Sequence, residues 1–298
     1  MTMGIIAGLA GRGLIPRSLL VLTCLILILL LAFHQIGWLR PLAYQVARAA
    51  AQANLLRQVR AWRTLTSEHF IVKYLPPDED VAPLVLQAAE AAYTPVTEDL
   101  AYQPPGRTAV VIYPSRKDLS ASFGWSAQES AMGVYWGGAI RVLSPKAWVE
   151  GKDPAEISQV FLSMGPMAHE FTHLVLDYKT RGNYPRWFSE GLAQYEELRH
   201  GGLLWNDPAA RPTGEHYSLA ELERFGDLPD QNRAYRDALS LVEYLATRHG
   251  ETGLQHIIAA LSQGAAFSEA LATLGITSPQ ALEAGWQTYL ARGAGAKP

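Results

Sequence analysis

Six residues, Ala168-His169-Glu170-Phe171-Thr172-His173, carry the densest chemistry in the chain. Positions four apart on a helix share a face, so His169 and His173 turn both imidazoles toward one point. Glu170, one step from His169, is placed to reach a water on an ion held there. The pattern is HExxH, in which two histidines bind zinc and the glutamate serves as general base. Pro166 suits the start of this helix, where its missing N–H costs nothing.

A catalytic zinc takes three protein ligands and keeps a fourth position open. Glu190 lies seventeen residues after His173, within WFSEGLAQY (187–195), and a turn signal, Thr180 to Pro185, separates the two stretches. One helix carrying His169 and His173, a reversal, and a second helix carrying Glu190 return the carboxylate to the same ion. Gly191 and Ala193 are small enough to let those two helices approach closely. The longer pattern HExxHxxGxxH fails, because Leu176 and Lys179 occupy its glycine and third-histidine positions. Asp177, four after His173, and Gln194, four after Glu190, have the helical offsets of groups that orient ligands. His69, His200, His249 and His256 are scattered and lack ligand spacing, and Glu196-Glu197 reads as a solvated helix end.

The elements that must position these residues are legible in outline. Residues 69–75 (HFIVKYL) and 108–113 (TAVVIY) are β-branched and aromatic, and each run is stopped by proline. Between them the spacing predicts a helix over 81–100. Met132 to Trp136 and Ala139 to Leu143, joined by Gly137-Gly138, carry the signal of a tight hairpin. After Pro166 the pattern is helical almost to Arg292, where Trp286 and Tyr289 read as the core of a terminal helix. A small mixed sheet followed by a helical half is an α+β arrangement.

HEFTHLVLDY followed by WFSEGLAQY resembles the gluzincin metallopeptidases, most closely the peptidase MA-like family of bacterial proteins. The resemblance is strongest over 166–198 and extends more weakly across 66–293. It implies a zincin-like domain with His169, His173 and Glu190 as ligands of Zn2+ and Glu170 as base. It also implies a tyrosine or histidine from the helical half at the oxyanion. Tyr235 is the candidate, with Tyr217 and His216 behind it. In such enzymes a peptide substrate adds beside a sheet edge, here Met132 to Trp136. The rival reading is a catalytically inactive zinc-binding scaffold that keeps the fold, and the intact Glu170 argues against it.

Composition narrows the setting. Of 298 residues 49% are hydrophobic, 10% aromatic and 18% charged, which supports a packed core and excludes a mainly disordered chain. A net charge of −3 gives no basic footprint for nucleic acid. Cys24 is the single cysteine, so no disulfide scaffold exists. SLLVLTCLILILLLAF (18–33) begins a run long enough to cross a bilayer, with Trp38 at the expected interface. The reading is therefore a tail over 1–17 and a single-pass anchor over 18–39. A helical stalk over 40–64 and a peptidase domain over 65–298 follow. A short tail before a long domain places that domain outside the cytoplasm.

Overall fold

The computed structural model describes residues 17–126, 131–150, 153–201 and 215–292. These residues form a mixed α+β fold, one small sheet with helices before, between and after its strands. The chain divides into two units, 1–44 and 45–298, and the second contains the sheet and the HExxH segment. The tail up to residue 16 lies outside the described residues. So do the side chains of the expected anchor 18–39, apart from Thr23 and Ile26, although its backbone belongs to helix α1 (Arg17–Gln58). Among the described residues no helix is long and apolar enough to cross a membrane.

The helical character read over 41–64 ends at Gln58, and Arg63–Thr66 is a strand, β1. Its sequence RTLT has no apolar face and three of its four residues are exposed, so alternation gives no signal. Antiparallel pairing with β2 (Phe70–Tyr74) makes it a strand. Helix α2 (Ala82–Asp99) leads to β3 (Thr108–Tyr113), whose six residues are all buried. That burial follows from its central place between two parallel neighbours, which a continuous apolar run suits. After the short α3 (Arg116–Ala121) come β4 (Gly133–Trp136) and β5 (Ala139–Leu143). Gly137 and Gly138 join them with φ of +59° and +84°, the pair of positive values a tight primed turn demands. Strand order is β1-β2-β3-β5-β4, so β4 is an edge.

Helices occupy the remainder: α4 (Pro154–Met164), α5 (Met167–Thr180), α6 (Arg186–Gly201), α7 (Leu219–Leu222), α8 (Gln231–Ser262), α9 (Phe267–Ala272) and α10 (Pro279–Ala291). Trp286 of α10 is fully buried, as its spacing predicts. The two faces of the sheet feed two cores. Phe70, Val72, Val110, Ile112, Ile140 and Val142 share one with Phe171, Leu174 and Val175 of α5. Ala109, Val111, Ala139 and Leu143 share the other with Leu55 and Val59 near the end of α1. Burying Leu55 and Val59 contributes about 2 kcal/mol each, so the last turns of α1 are part of the folded body.

Candidate metal centre

Helix α5, with Pro166 at its N-cap, drives Phe171, Leu174 and Val175 into the core, which leaves His169 and His173 on the flank toward α6. Arg181 closes it in the left-handed region (φ +59°) and Gly182 follows at +75°, so the chain reverses toward Pro185 and α6. On α6 every residue from Trp187 to Gln194 is buried, because the helix lies between α5 and α8. The reversal carries Glu190 back to the histidines. Its Oε2 lies 3.7 Å from His169 Nε2 and 3.4 Å from His173 Nε2. One ligand atom from each of the three residues falls within 4.8 Å of the others, a grouping that could hold one metal ion.

Both imidazoles aim Nε2 inward because Nδ1 is engaged elsewhere. His169 Nδ1 lies 3.1 Å from Glu197 Oε2, and His173 Nδ1 lies 2.7 Å from the Ser189 hydroxyl. Such outer contacts fix tautomer and ring orientation. They are not the groups that helical offset selects. Asp177 points away from the histidines and takes Arg48 and the Tyr135 hydroxyl. Gln194 donates to the Glu190 and Tyr235 backbone carbonyls rather than to the side chain of His169, His173 or Glu190. Glu196 and Glu197, read as a solvated helix end, are buried. Glu197 lies two turns beyond Glu190 on the same helix, and that seven-residue spacing was the available signal for it. Gly191 serves a different contact from the one expected. A Cβ there would meet the Ala238 carbonyl oxygen at 2.3 Å, so its smallness seats α6 on α8, not on α5.

Glu170 is buried on the same helix, and its Oε2 accepts the Tyr135 backbone N–H of edge strand β4 at 2.5 Å. Burial pushes this carboxyl above its ordinary range, against the lowering charges of His169 and His173. Glu190 behaves oppositely. Burial resists its ionisation, but the charges and hydrogen bonds of His173 and His169 hold it well below the carboxylate range. Burial favours neutral His169, yet Glu190 and Glu197 raise it well above the usual imidazole value. Arg186, one turn before Glu190, reaches its Oε1 at 3.4 Å.

Tyr235 stands on the first turns of α8, edge-on to Phe225 at 5.1 Å, and the Arg186 guanidinium lies 5.5 Å from the centre of the same Phe225 ring. Burial raises its phenol strongly, and the charges of Glu190 and Glu170 add to the rise, so the hydroxyl sits within their field. The other two candidates are engaged elsewhere. His216 Nδ1 lies 2.8 Å from Asp237, and the Tyr217 hydroxyl accepts the Asp230 N–H.

Asp99, Glu196 and His200 form a second cluster of possible ligands, but Arg199 already sits 2.8 Å from Asp99 and 3.6 Å from Glu196. Burial pushes Glu196 up to about 7, with the Asp99 charge adding to it. His200 is raised too, chiefly by its hydrogen bond to Glu196. A group whose folded pKa exceeds its unfolded value stabilises fully below the unfolded pKa and loses that contribution as pH rises through the folded one. For Glu196 the loss runs from about pH 4.5 through 7 and reaches roughly 3 kcal/mol. Urea unfolding is therefore expected to show stability falling from pH 5 to pH 8, with Glu196→Gln flattening the fall. Parallel pH profiles for the two proteins would disprove this account.

No protein-family model matches the chain, and no curated protein matches it either.

Proposed function

We propose that this chain is a membrane-anchored zinc metallopeptidase of gluzincin type, hydrolysing peptide bonds outside the cytoplasm. The observation that carries the reading is the convergence of His169 Nε2 and His173 Nε2 on Glu190 Oε2, with Glu170 on the same helix as the histidines. Two imidazole nitrogens and one carboxylate oxygen, each oriented by outer contacts, are a donor set that suits zinc and leaves a position for water. When bound, zinc supplies a Lewis acid and lowers the pKa of its water to about 7.

Glu170 takes the proton of the attacking water and passes it to the leaving amine. Burial raises this carboxyl, the direction that helps it hold the proton it has accepted. Tyr235 supplies a phenol O–H to the developing oxyanion, and Arg186 steadies Glu190. Edge strand β4 is where an extended peptide adds to the sheet. Membrane attachment rests on the apolar run 18–39 in the sequence.

Metal removal tests the reaction. The full chain, loaded with zinc, should cleave a library of quenched fluorogenic peptides, lose that activity to a chelator and regain it with one equivalent of zinc. A zinc-loaded chain that cleaves nothing in a diverse library overturns the peptidase reading. Placement is tested separately: a C-terminal tag should be digested by external protease on intact cells. Digestion only after lysis reverses the orientation.

A further inference from the structure

Beyond the centre itself, a buried polar chain runs from α1 to the hydrogen bond that holds Glu170. Asp177, on α5 one turn after His173, has no exposed surface. Its Oδ2 receives Arg48 Nη1 at 2.9 Å and the Tyr135 hydroxyl at 2.5 Å. Arg48 also donates to the Asp177 backbone carbonyl at 3.2 Å and lays its guanidinium over the Tyr178 ring at 3.7 Å. Tyr135 is the residue whose own backbone N–H meets Glu170 Oε2 at 2.5 Å. One residue of the edge strand is thus fixed at both ends, by hydroxyl to Asp177 and by amide to Glu170.

Around this chain α1 grips the hairpin at its turn. Gln52 Nε2 donates to the Gly138 carbonyl at 2.8 Å, and a Cβ on Gly137 would meet the Ala51 side chain at 2.8 Å. Farther along β4, a Cβ on Gly133 would meet Glu170 Cγ and Pro166 Cβ, each at 2.8 Å, so strand and helix touch directly. The ladder with β5 sets the register of β4 and Glu170 holds it at the Tyr135 N–H, while α1 and Asp177 add a further hold from outside the HExxH segment. The arrangement is asymmetric in burial: Arg48 is largely covered and Asp177 wholly so, and charge-assisted bonds in such a place hold their geometry tightly.

We infer that Arg48, Asp177 and the Tyr135 hydroxyl are positioning residues that set the edge strand against Glu170, making the end of α1 part of the catalytic apparatus. The inference rests on Glu170 acting as the general base. Neither Arg48 nor Asp177 touches the reacting atoms. They act through Tyr135, whose amide holds one carboxylate oxygen while the strand it belongs to forms the rim of the site.

The test uses the full chain as wild type, Arg48→Ala and Tyr135→Phe, the second sparing the ring, the backbone N–H and the packing. Amide hydrogen exchange over 133–136 reads the contact without needing any substrate. Both variants should exchange the Tyr135 amide about tenfold faster, since weakening the relay opens the strand locally rather than unfolding the chain. Zinc should stay at one per chain. On a fluorogenic peptide that the wild type cleaves, kcat should fall by about 10- to 100-fold with KM nearly unchanged. Arg48→Lys, which keeps a charged donor, should recover part of the loss. Because both groups act through Asp177, the double variant should be little worse than either single one. Unchanged exchange at Tyr135 in both variants overturns the inference, as does acceleration spread evenly over all slow amides, which marks a merely structural contact. A wild type that fails to cleave peptides defeats the hydrolytic reading instead, and the exchange measurement separates the two failures.

Discussion

Glu170→Gln in the full chain is expected to bind one zinc per chain and to lose about 10²- to 10⁴-fold of its peptide hydrolysis, the range that a positioned general base supplies. Glutamine has the shape of glutamate, so the packing of Cγ against Gly133 and Pro166 is preserved. Its carbonyl oxygen still accepts the Tyr135 N–H. The proposed metal ligands His169, His173 and Glu190 are untouched, and a buried carboxyl becomes a buried amide of equal volume. What disappears is an oxygen basic enough to take a proton from water. Retained zinc with undiminished hydrolysis would sink the base assignment. Zinc lost together with activity would show that Glu170 helps to build the centre, and its role would have to be redrawn.

Glu190→Ala should reduce zinc from one per chain to a trace. Removing a supporting group beyond the ligands weakens a metal site by roughly 10- to 100-fold, and loss of a ligand exceeds that. The structure makes the contrast measurable, because Glu197 is such a supporting group and touches His169 through Nδ1 only. Glu197→Gln should stay within the 10- to 100-fold window while Glu190→Ala falls beyond it. Competition against a chromogenic zinc chelator measures both. Equal losses in the two variants would mean that Glu190 is no more a ligand than Glu197, and the three-residue centre would not stand.

Legibility of the fold in the sequence followed how much each element depends on its own residues. Strand β3 could be read because a central parallel strand is buried on both faces and its composition says so. The hairpin could be read because positive φ at two successive positions calls for Gly137-Gly138. His169, His173 and Glu190 were legible because helical periodicity and one turn signal suffice to aim them. Strand β1 was not, since Arg63 to Thr66 has no buried face and owes its form to a neighbour. Glu196 and Glu197 misled for a related reason. Two adjacent carboxylates look solvated unless one knows that α6 is enclosed and that His169, Arg199 and His200 stand opposite. Asp177 had a ligand-orienting offset, but its side chain leaves α5 on the side of Tyr135 and Arg48. Arg48 is 129 residues away, a separation that no local pattern encodes.

The close seat of Gly191 on the Ala238 carbonyl has a consequence for how descendants of this sequence would diverge. Any side chain at 191 forces α6 off α8, whether or not the protein still performs a reaction. Selection for folding alone would therefore retain that glycine in copies that had become inert. Glu170 is under no such constraint, for its hydrogen bond to Tyr135 can be given up without disturbing the helix pair. In a lineage drifting toward a purely structural role, the glycine beside Glu190 would persist as a relic of architecture. Position 170 would change first, and so would date the loss of chemistry.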